Sequence, residues 1–242
     1  MNNIKLKISS FYFKEMHAPS WFSVFFNQFF FARRGLFQSI KEIGKEITGK
    51  TLDVGCGSKP YVSLYSSTEY IGLEYDTPEN RATKNADFFY DGNKFPFDDN
   101  DFDSVVLNQV FEHVFNPDDF LEEVNRVLKS SGMICMTIPF VWDEHEQPYD
   151  FARYSSFGIK SLLEKHGFHV QKQMKSVNDI RVIFQLSSLF IFKKLVTRSS
   201  IINHLMILLL ISPLNIIGTL INFILPMNQD LYLDNIILAK KI

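Results

Sequence analysis

The feature that most constrains the fold is an alternation of short apolar segments with amphipathic ones over residues 34–175. Residues 34–47 carry apolar side chains at three- and four-residue spacing, which predicts an amphipathic helix that Gly49 ends. Similar helical patterns follow Asn116 and Ser156, which we expect to be N-caps. Because strands separated by helices pair in parallel, we predict an α/β fold with a doubly wound, mostly parallel seven-stranded sheet. The predicted strands are 51–54, 70–73, 87–90, 103–107, 133–138, 169–175 and 231–239.

The amino-acid composition and net charge exclude several classes of protein. Hydrophobic residues make up 46% of the 242 residues, which is enough to bury a core and excludes a disordered chain. The net charge of −2 shows no basic bias, so we expect no nucleic-acid partner. Cys56 and Cys135 are too few for a disulfide framework. The N-terminal residues lack the apolar run of a signal peptide, so a cytoplasmic location is expected.

Two uncharged apolar stretches interrupt the alternating pattern, at residues 18–32 and 205–229. The second lies within residues 180–229, which hold four basic and no acidic residues. Phe is abundant in the chain, with 25 residues, and several of them crowd the first stretch. The expected organisation is an aromatic-rich helical extension (1–33), a cofactor-binding core (34–179), an apolar helical insertion (180–229) and the final core strand (230–242).

The insertion is a candidate for membrane contact. A helix over residues 205–226 would be about 33 Å long, which is enough to span a bilayer, but one crossing would leave the last strand on the wrong side. We therefore expect residues 182–228 to lie peripherally on the inner face of the cell membrane, with Lys193, Lys194 and Arg198 at anionic headgroups. A lid or the interface of a homodimer is the alternative that stays open.

A glycine turn and two acids follow successive predicted strands. Gly55 and Gly57 come directly after the first strand, where glycine lets the backbone approach a ligand closely. Glu74 ends the second strand, about 20 residues on, where a carboxylate can bind both hydroxyls of a ribose. Asp91 follows the third strand and can accept from an adenine amino group. A dinucleotide-binding oxidoreductase is the alternative, but Pro60 opposes the third glycine that it needs.

Three stretches carry a resemblance to a known family: LDVGCGSKPY (52–61), IGLEYD (71–76) and the segment from DGNKF to TIPF (91–140). With them, residues 34–178 and the last strand resemble the class I S-adenosylmethionine (SAM)-dependent methyltransferases, of the type 11-like kind. The stretch WDEHEQPYDFARYSSFGIKSLLEKHGF (142–168) is most similar to members found in bacterial surface-polysaccharide biosynthesis.

The resemblance implies that SAM is the cofactor. Asp53, Gly55 and Gly57 would frame its methionine part, and Asn108 and Gln109 would line the same side. Glu74 would bind the ribose hydroxyls, at a position where aspartate is commoner in the family. The cofactor-binding residues so implied are Asp53, Gly55, Cys56, Gly57, Glu74, Asp91, Asn108 and Gln109.

Residues after the fourth and fifth strands are candidates for acting on the methyl acceptor. The candidate general bases are Glu112 and His113 after the fourth strand and residues 143–146 after the fifth. His145 and His113 are favoured among them, because imidazole titrates closest to neutral pH. Tyr149, Arg153 and Tyr154 form an aromatic and basic cluster that either binds a sugar or phosphate group or anchors its own loop.

No metal site is expected, because the Asp-Glu-His-Glu run at 143–146 has no further ligands at helical spacing.

The expected function is methylation of an acceptor hydroxyl, of a small molecule or more specifically of a bacterial glycan or lipid-linked sugar precursor. Two alternatives stay open, namely methylation of a lipid or quinone at the membrane, and a noncatalytic membrane-associated scaffold with the SAM fold.

Overall fold

A computed structural model of the chain describes residues 2–242, with their side chains from Ser9 onward. Strands and helices alternate through the middle of the chain, as predicted. In chain order the main elements are α1 (Asn2–His17), α2 (Phe30–Ile43), β1 (Thr48–Val54), β2 (Ser66–Tyr75), α3 (Pro78–Thr83), β3 (Phe88–Tyr90), β4 (Phe102–Asn108), α4 (Pro117–Val127), β5 (Leu128–Pro139), α5 (Ser156–Lys165), β6 (Phe168–Ser176), α6 (Arg181–Leu195), α7 (Ser200–Met206), α8 (Ser212–Asn222) and β7 (Asp234–Lys241).

The strands form one seven-stranded sheet in the order β3-β2-β1-β4-β5-β7-β6. Strands β1 to β5 pair in parallel, whereas β7 is antiparallel to β5. This confirms the predicted mostly parallel, doubly wound sheet. Strand order reverses between β1 and β4, and the ends of these two strands are level, since Val54 pairs with Leu107. In sheets of this kind, ligands bind beyond the carboxyl ends of the strands at such a reversal.

Several predicted boundaries were wrong because pairing extends the strands. Strand β2 begins at Ser66 rather than at residue 70, since its first residues pair with β1 across a bulge. Gly49 does not end a helix: α2 ends at Ile43, and Gly49 lies within β1 with φ +72. A side chain there would collide with Asp103, because an added Cβ would lie 2.5 Å from its carboxylate. The last strand is Asp234–Lys241 rather than 231–239.

The helix caps differ in detail from the prediction. Ser155, not Ser156, is the N-cap of α5, since its Oγ accepts a hydrogen bond from the backbone N–H of Gly158 at 3.2 Å. Asn116 is the N-cap of α4, but its side chain makes no capping hydrogen bond. Helix formation at that end is still favoured by Pro117 at the first helical position and by the acidic residues in the first turn.

The chain divides into two compact units. One consists of residues 39–174 and 234–242 and contains the sheet; the other consists of residues 1–38, of which Met1 lies outside the described part, and 175–233. The four-part division expected from the sequence, with bounds at 33, 179 and 229, stays a prediction. In the unit with the sheet, α4 and α5 bury Leu121, Val124, Ile159 and Leu163 in the same core as the strands.

The second unit joins the aromatic N-terminal region to the insertion. The buried side chain of Gln185 on α6 accepts hydrogen bonds from the backbone N–H groups of Phe31 and Ala32 and donates to the carbonyl of Gln28. The buried amide of Asn215 on α8 donates to the carbonyl of Val24 at 3.2 Å. Buried amides therefore hold two segments that are distant in sequence in one unit.

The expected apolar helices of the insertion are present. Helices α7 and α8 are joined by a π-helical turn, Ile207–Ile211, into one helical stretch, Ser200–Asn222. This stretch is long and apolar enough to cross a membrane by length and composition, with a mean hydropathy of 2.1, and 33% of its most apolar window is buried. Most of its apolar side chains are therefore exposed on this unit.

Candidate active site

The turn after β1 folds back over the end of β2. Gly55 and Gly57 have φ values of +68° and +53°, a region that glycine adopts without strain. The N–H of Gly55 donates to the carbonyl of Leu73 at 2.8 Å, and the N–H of Gly57 donates to Oε2 of Glu74 at 2.9 Å. A Cβ added at Gly57 would meet no atom within 4 Å, so this part of the turn faces open space. The turn thus lies beside the Glu74 carboxylate and borders open space.

Asp53 lies buried at the end of β1 and offers an unsatisfied oxygen. Its Oδ2 accepts a hydrogen bond from the Tyr70 hydroxyl at 2.8 Å, whereas Oδ1 has no hydrogen-bond partner. Burial raises the pKa of Asp53 to about 7, although the Tyr70 hydrogen bond opposes the change. Burial therefore favours the neutral carboxyl group in the empty site, and a cationic ligand group placed beside it would favour the ionised form.

The other residues implied for the cofactor lie at the same edge of the sheet. The Asn108 amide is hydrogen-bonded to the Tyr65 hydroxyl, at 3.0 Å from Nδ2. Gln109 has a φ of +56°, and its N–H donates to the carbonyl of Thr137 at 2.9 Å. A positive φ at a residue other than glycine is strained and recurs at functional sites. The structure thus holds the end of β4 in a defined, unusual conformation.

Cys56 and Asp91 differ in exposure. Cys56 is buried between the two glycines, and burial together with the charge of Asp53 raises the pKa of its thiol to about 12, so the thiol is unreactive. Asp91 is exposed just after β3, and its carboxylate accepts hydrogen bonds from the backbone and side chain of Asn93 at 3.0 and 3.1 Å. An adenine contact by Asp91 stays a prediction.

A second group of polar side chains converges beyond β4 and β5. Nε2 of His113 and Nε2 of His145 lie 3.8 and 3.9 Å from Oε1 of Glu112. The two imidazole rings meet edge to face, with centroids 4.9 Å apart. Glu112 has no exposed surface and neither of its carboxylate oxygens has a hydrogen-bond partner, so burial raises its pKa to about 8. The predicted candidate bases therefore lie together, around a third residue.

The loop after β5 positions His145 through Asp150. Oδ2 of Asp150 accepts a hydrogen bond from the backbone N–H of His145 at 3.0 Å and lies 3.2 Å from its Nδ1. Arg153 holds Asp150 by two hydrogen bonds of 2.5 and 2.7 Å, and it also donates to the carbonyl of Asp143. The loop is consequently folded by its own ion pair.

These contacts separate the three residues predicted to bind the acceptor. Arg153 is paired with Asp150, and Tyr154 packs its ring on Phe111 with centroids 5.4 Å apart. Tyr149 is exposed, and it meets His113 through its backbone carbonyl, at 2.7 Å from Nδ1, rather than through its ring. Arg153 and Tyr154 anchor the loop in this structure, whereas the Tyr149 ring faces solvent.

Two residues of the site were not among the candidates from the sequence, namely Asp150 and Tyr70. Asp150 lies three residues before Arg153, a spacing that favours an ion pair. Tyr70 had no signal, since only the fold brings its hydroxyl to Asp53.

Comparison with known sequences identifies the central segment. A family model described as a methyltransferase domain matches residues 52–136. The chain is 34% identical over 108 residues to a demethylmenaquinone methyltransferase of Staphylococcus saprophyticus, which covers 39% of this chain and 46% of that protein. It is 29% identical over 146 residues to an uncharacterized protein of Methanocaldococcus jannaschii, which covers 54% of this chain and 69% of that protein.

Comparison with solved structures supports the fold. A phosphoethanolamine N-methyltransferase of Haemonchus contortus, in complex with S-adenosyl-L-methionine, superposes with a TM-score of 0.54 at 16% identity. The match covers 95% of this chain and 59% of that one. At this identity the likeness concerns the arrangement of strands and helices.

Proposed function

The chain is a class I SAM-dependent methyltransferase, and on that premise we propose that it methylates a hydroxyl group of a glycan or a lipid-linked sugar precursor. The enzyme uses S-adenosyl-L-methionine, which supplies an activated methyl group when bound. Transfer of a labelled methyl group to any acceptor would set aside the alternative of a noncatalytic scaffold.

The proposed cofactor contacts lie where the site offers an unpaired oxygen atom and open space. Oδ1 of Asp53 is buried without a hydrogen-bond partner, and a Cβ added at Gly57 would meet no atom within 4 Å. Glu74 is held against the turn by the Gly57 N–H, which orients its carboxylate for two adjacent ribose hydroxyls. These side chains bind and orient the cofactor, while the reacting groups lie beyond β4.

The observation that carries the proposed acceptor is the convergence of Glu112, His113 and His145 at the same edge of the sheet. Glu112 and His113 follow the end of β4 by a few residues, and His145 reaches them from the loop after β5. Carboxylate and imidazole groups bind and activate hydroxyl oxygens, and such a polar site suits a sugar better than an apolar ring. His145 or His113 acting as the base stays part of this proposal.

The acceptor hypothesis is tested by transfer of a labelled methyl group to candidate acceptors. We expect turnover with a lipid-linked sugar, and a loss of at least about 100-fold in His145→Ala, with little change in SAM affinity measured by calorimetry. His169→Ala is the matched control, since His169 is exposed on β6. Unchanged turnover in His145→Ala would remove that residue from the acceptor site.

A quinone acceptor is the second candidate, favoured by one observation. The Staphylococcus saprophyticus relative is named for demethylmenaquinone. Methylation of a demethylmenaquinone, and of no sugar acceptor, in the same assay would replace the glycan proposal with this one.

We further propose that the enzyme works in the cytoplasm, peripherally on the inner face of the membrane. In the unit that contains the insertion, Leu209, Phe223 and Ile224 are exposed on or just after the long apolar stretch, and Lys193 and Lys194 lie in the last turn of α6. Exposed apolar and basic side chains suit an anionic lipid surface. A lipid-linked acceptor would be reached there.

Membrane fractions washed with carbonate test this location. A peripheral protein is released by the wash, and it should sediment with vesicles of phosphatidylglycerol more than with phosphatidylcholine vesicles. Retention after the wash would indicate that the Ser200–Asn222 stretch crosses the bilayer. Absence from both membranes and vesicles would favour burial of this surface in a homodimer, which the oligomeric state in solution would show.

A further inference from the structure

The convergence of Glu112, His113 and His145 is the arrangement of a metal site. One ligand atom from each residue lies within 4.8 Å of the other two. No metal was expected from the sequence, because the run at residues 143–146 has no further ligands at helical spacing. The fold supplies the further ligands from the turn after β4 instead.

Glu112 is the first reason to place a ligand between these groups. Its carboxylate is fully buried, and neither oxygen has a hydrogen-bond partner, although it faces two imidazole nitrogens. The separations of 3.8 and 3.9 Å are too long for hydrogen bonds. A buried carboxylate without partners is costly, and a coordinated cation removes that cost.

The far nitrogens of both imidazoles are the second reason. Nδ1 of His113 lies 2.7 Å from the carbonyl of Tyr149. Nδ1 of His145 lies 3.2 Å from Oδ2 of Asp150 and 3.3 Å from the carbonyl of Asp143, which are both acceptors. The nitrogen of Arg153, which is a donor, lies slightly farther from Nδ1, at 3.4 Å. These acceptors favour a proton on each Nδ1, which leaves the Nε2 lone pairs facing Glu112.

Imidazoles that ligate metals in proteins are oriented in this way, with the remaining N–H donated to a carboxylate or a carbonyl. Two lone pairs and a carboxylate oxygen that point into one space repel each other unless a metal cation or a proton lies between them. We propose that Glu112, His113 and His145 bind one divalent transition-metal ion of the Zn²⁺ class.

The ligand set selects this class of ion. Imidazole nitrogens suit Zn²⁺ and its neighbours rather than Mg²⁺ or Ca²⁺, which prefer oxygen ligands. Three protein ligands are the number found at catalytic zinc sites, which keep a position open for water or substrate. That open position would take the acceptor hydroxyl oxygen, a part of the inference that rests on the proposed function. The imidazoles would then be ligands rather than free bases.

Metal binding is measured on the full-length protein. After treatment with a chelator and dialysis, Zn²⁺ alone is titrated in, and bound metal is quantified by elemental analysis. Co²⁺ is used as a spectroscopic probe, since its visible bands report the ligands. We expect one equivalent in the wild-type protein, and at least about 100-fold weaker binding in Glu112→Gln and His145→Ala.

Controls separate ligand loss from misfolding. Glu112→Gln preserves side-chain shape, and its SAM affinity and circular dichroism should match the wild type. His169→Ala, which removes an exposed imidazole, should keep the full equivalent of metal. Equal metal binding in the wild type and Glu112→Gln, or no binding in either, would overturn the inference.

The outcomes for metal and for acceptor are separable. If no metal binds while His145→Ala still abolishes hydroxyl methylation, the metal site is wrong and the acceptor proposal stands, with His145 acting on the hydroxyl itself. If the metal binds at these residues but no hydroxyl is methylated, the metal site stands and the acceptor proposal fails.

Discussion

Asp53 should make the stability of the cofactor-free enzyme fall as the pH rises. Its carboxyl group is buried, one oxygen has no partner, and its pKa of about 7 compares with an ordinary value of 3.8. Because the folded state holds the proton more tightly than the unfolded state, the stabilising contribution is fully present below pH 3.8. It is lost as the pH rises through about 7.

The magnitude follows from the difference between the two pKa values. A difference of about three pKa units corresponds to about 4 kcal/mol in total. Between about pH 5.5 and about pH 8.5, the loss is about 2 kcal/mol, since part of the titration lies below this range. For a chain of this length, that amounts to a fall in Tm of roughly 4–8 °C.

Asp53→Asn removes this titration while keeping an oxygen to accept the Tyr70 hydrogen bond. We expect the Tm of the variant to be flatter with pH than that of the wild type by the amount given above, measured by thermal unfolding without SAM. Asp98→Asn, at an exposed position, is the control and should parallel the wild type. Parallel pH profiles for Asp53→Asn and the wild type would refute the reasoning.

Three further substitutions test the conformation of the glycine turn, the cofactor contact of Glu74 and the buried amide of Asn215. Gly55→Ala should lower the Tm, because its Cβ would lie 2.4 Å from Cγ2 of Val110 at a φ of +68°; adding Val110→Ala should recover only part of the loss, since the conformational cost of about 1–2 kcal/mol remains. Glu74→Gln should weaken SAM binding in calorimetry about tenfold, because a neutral amide replaces a charge-assisted acceptor. Asn215→Leu should lower the free energy of unfolding in urea by about 1–3 kcal/mol, as the buried carbonyls of residues 24 and 27 lose their donor.

Each of these three predictions would be contradicted by one outcome. Full recovery of the Tm by Val110→Ala would show that the steric contact alone matters at Gly55. Unchanged SAM affinity in Glu74→Gln would contradict the ribose assignment. A neutral effect of Asn215→Leu would show that its hydrogen bonds are replaced by water.

Local patterns sufficed to predict the order of the strands and of the helices that pack on them, because apolar periodicity reflects which face of each element is buried. They did not predict α3, which has no buried residue. They did not suffice for the ends of the strands. Ser66 belongs to β2 because it pairs with Thr48, and Leu128 belongs to β5 because it pairs with Phe102. A strand ends where its neighbour ends, which no local propensity encodes.

The same division applies to the site. The nearness of Glu74 to the glycine turn was predictable, since parallel neighbouring strands bring their carboxyl ends to one edge of a sheet. The approach of His145 to His113 was not, because it depends on a loop folded by Asp150 and Arg153. Nor could the complete burial of Glu112 be foreseen, since surrounding elements, rather than its neighbours in sequence, exclude water from it.

The junctions of the insertion have an evolutionary consequence. The N–H of Leu233 donates to the carbonyl of Ser176 at 3.0 Å, and Lys175 donates to the carbonyl of Gln229. The long segment between these residues therefore leaves and rejoins the chain at nearly one point. A segment attached in this way can change in length between β6 and β7 without altering the register of any strand, provided that the contacts of Gln185 and Asn215 with residues 24–32 are kept.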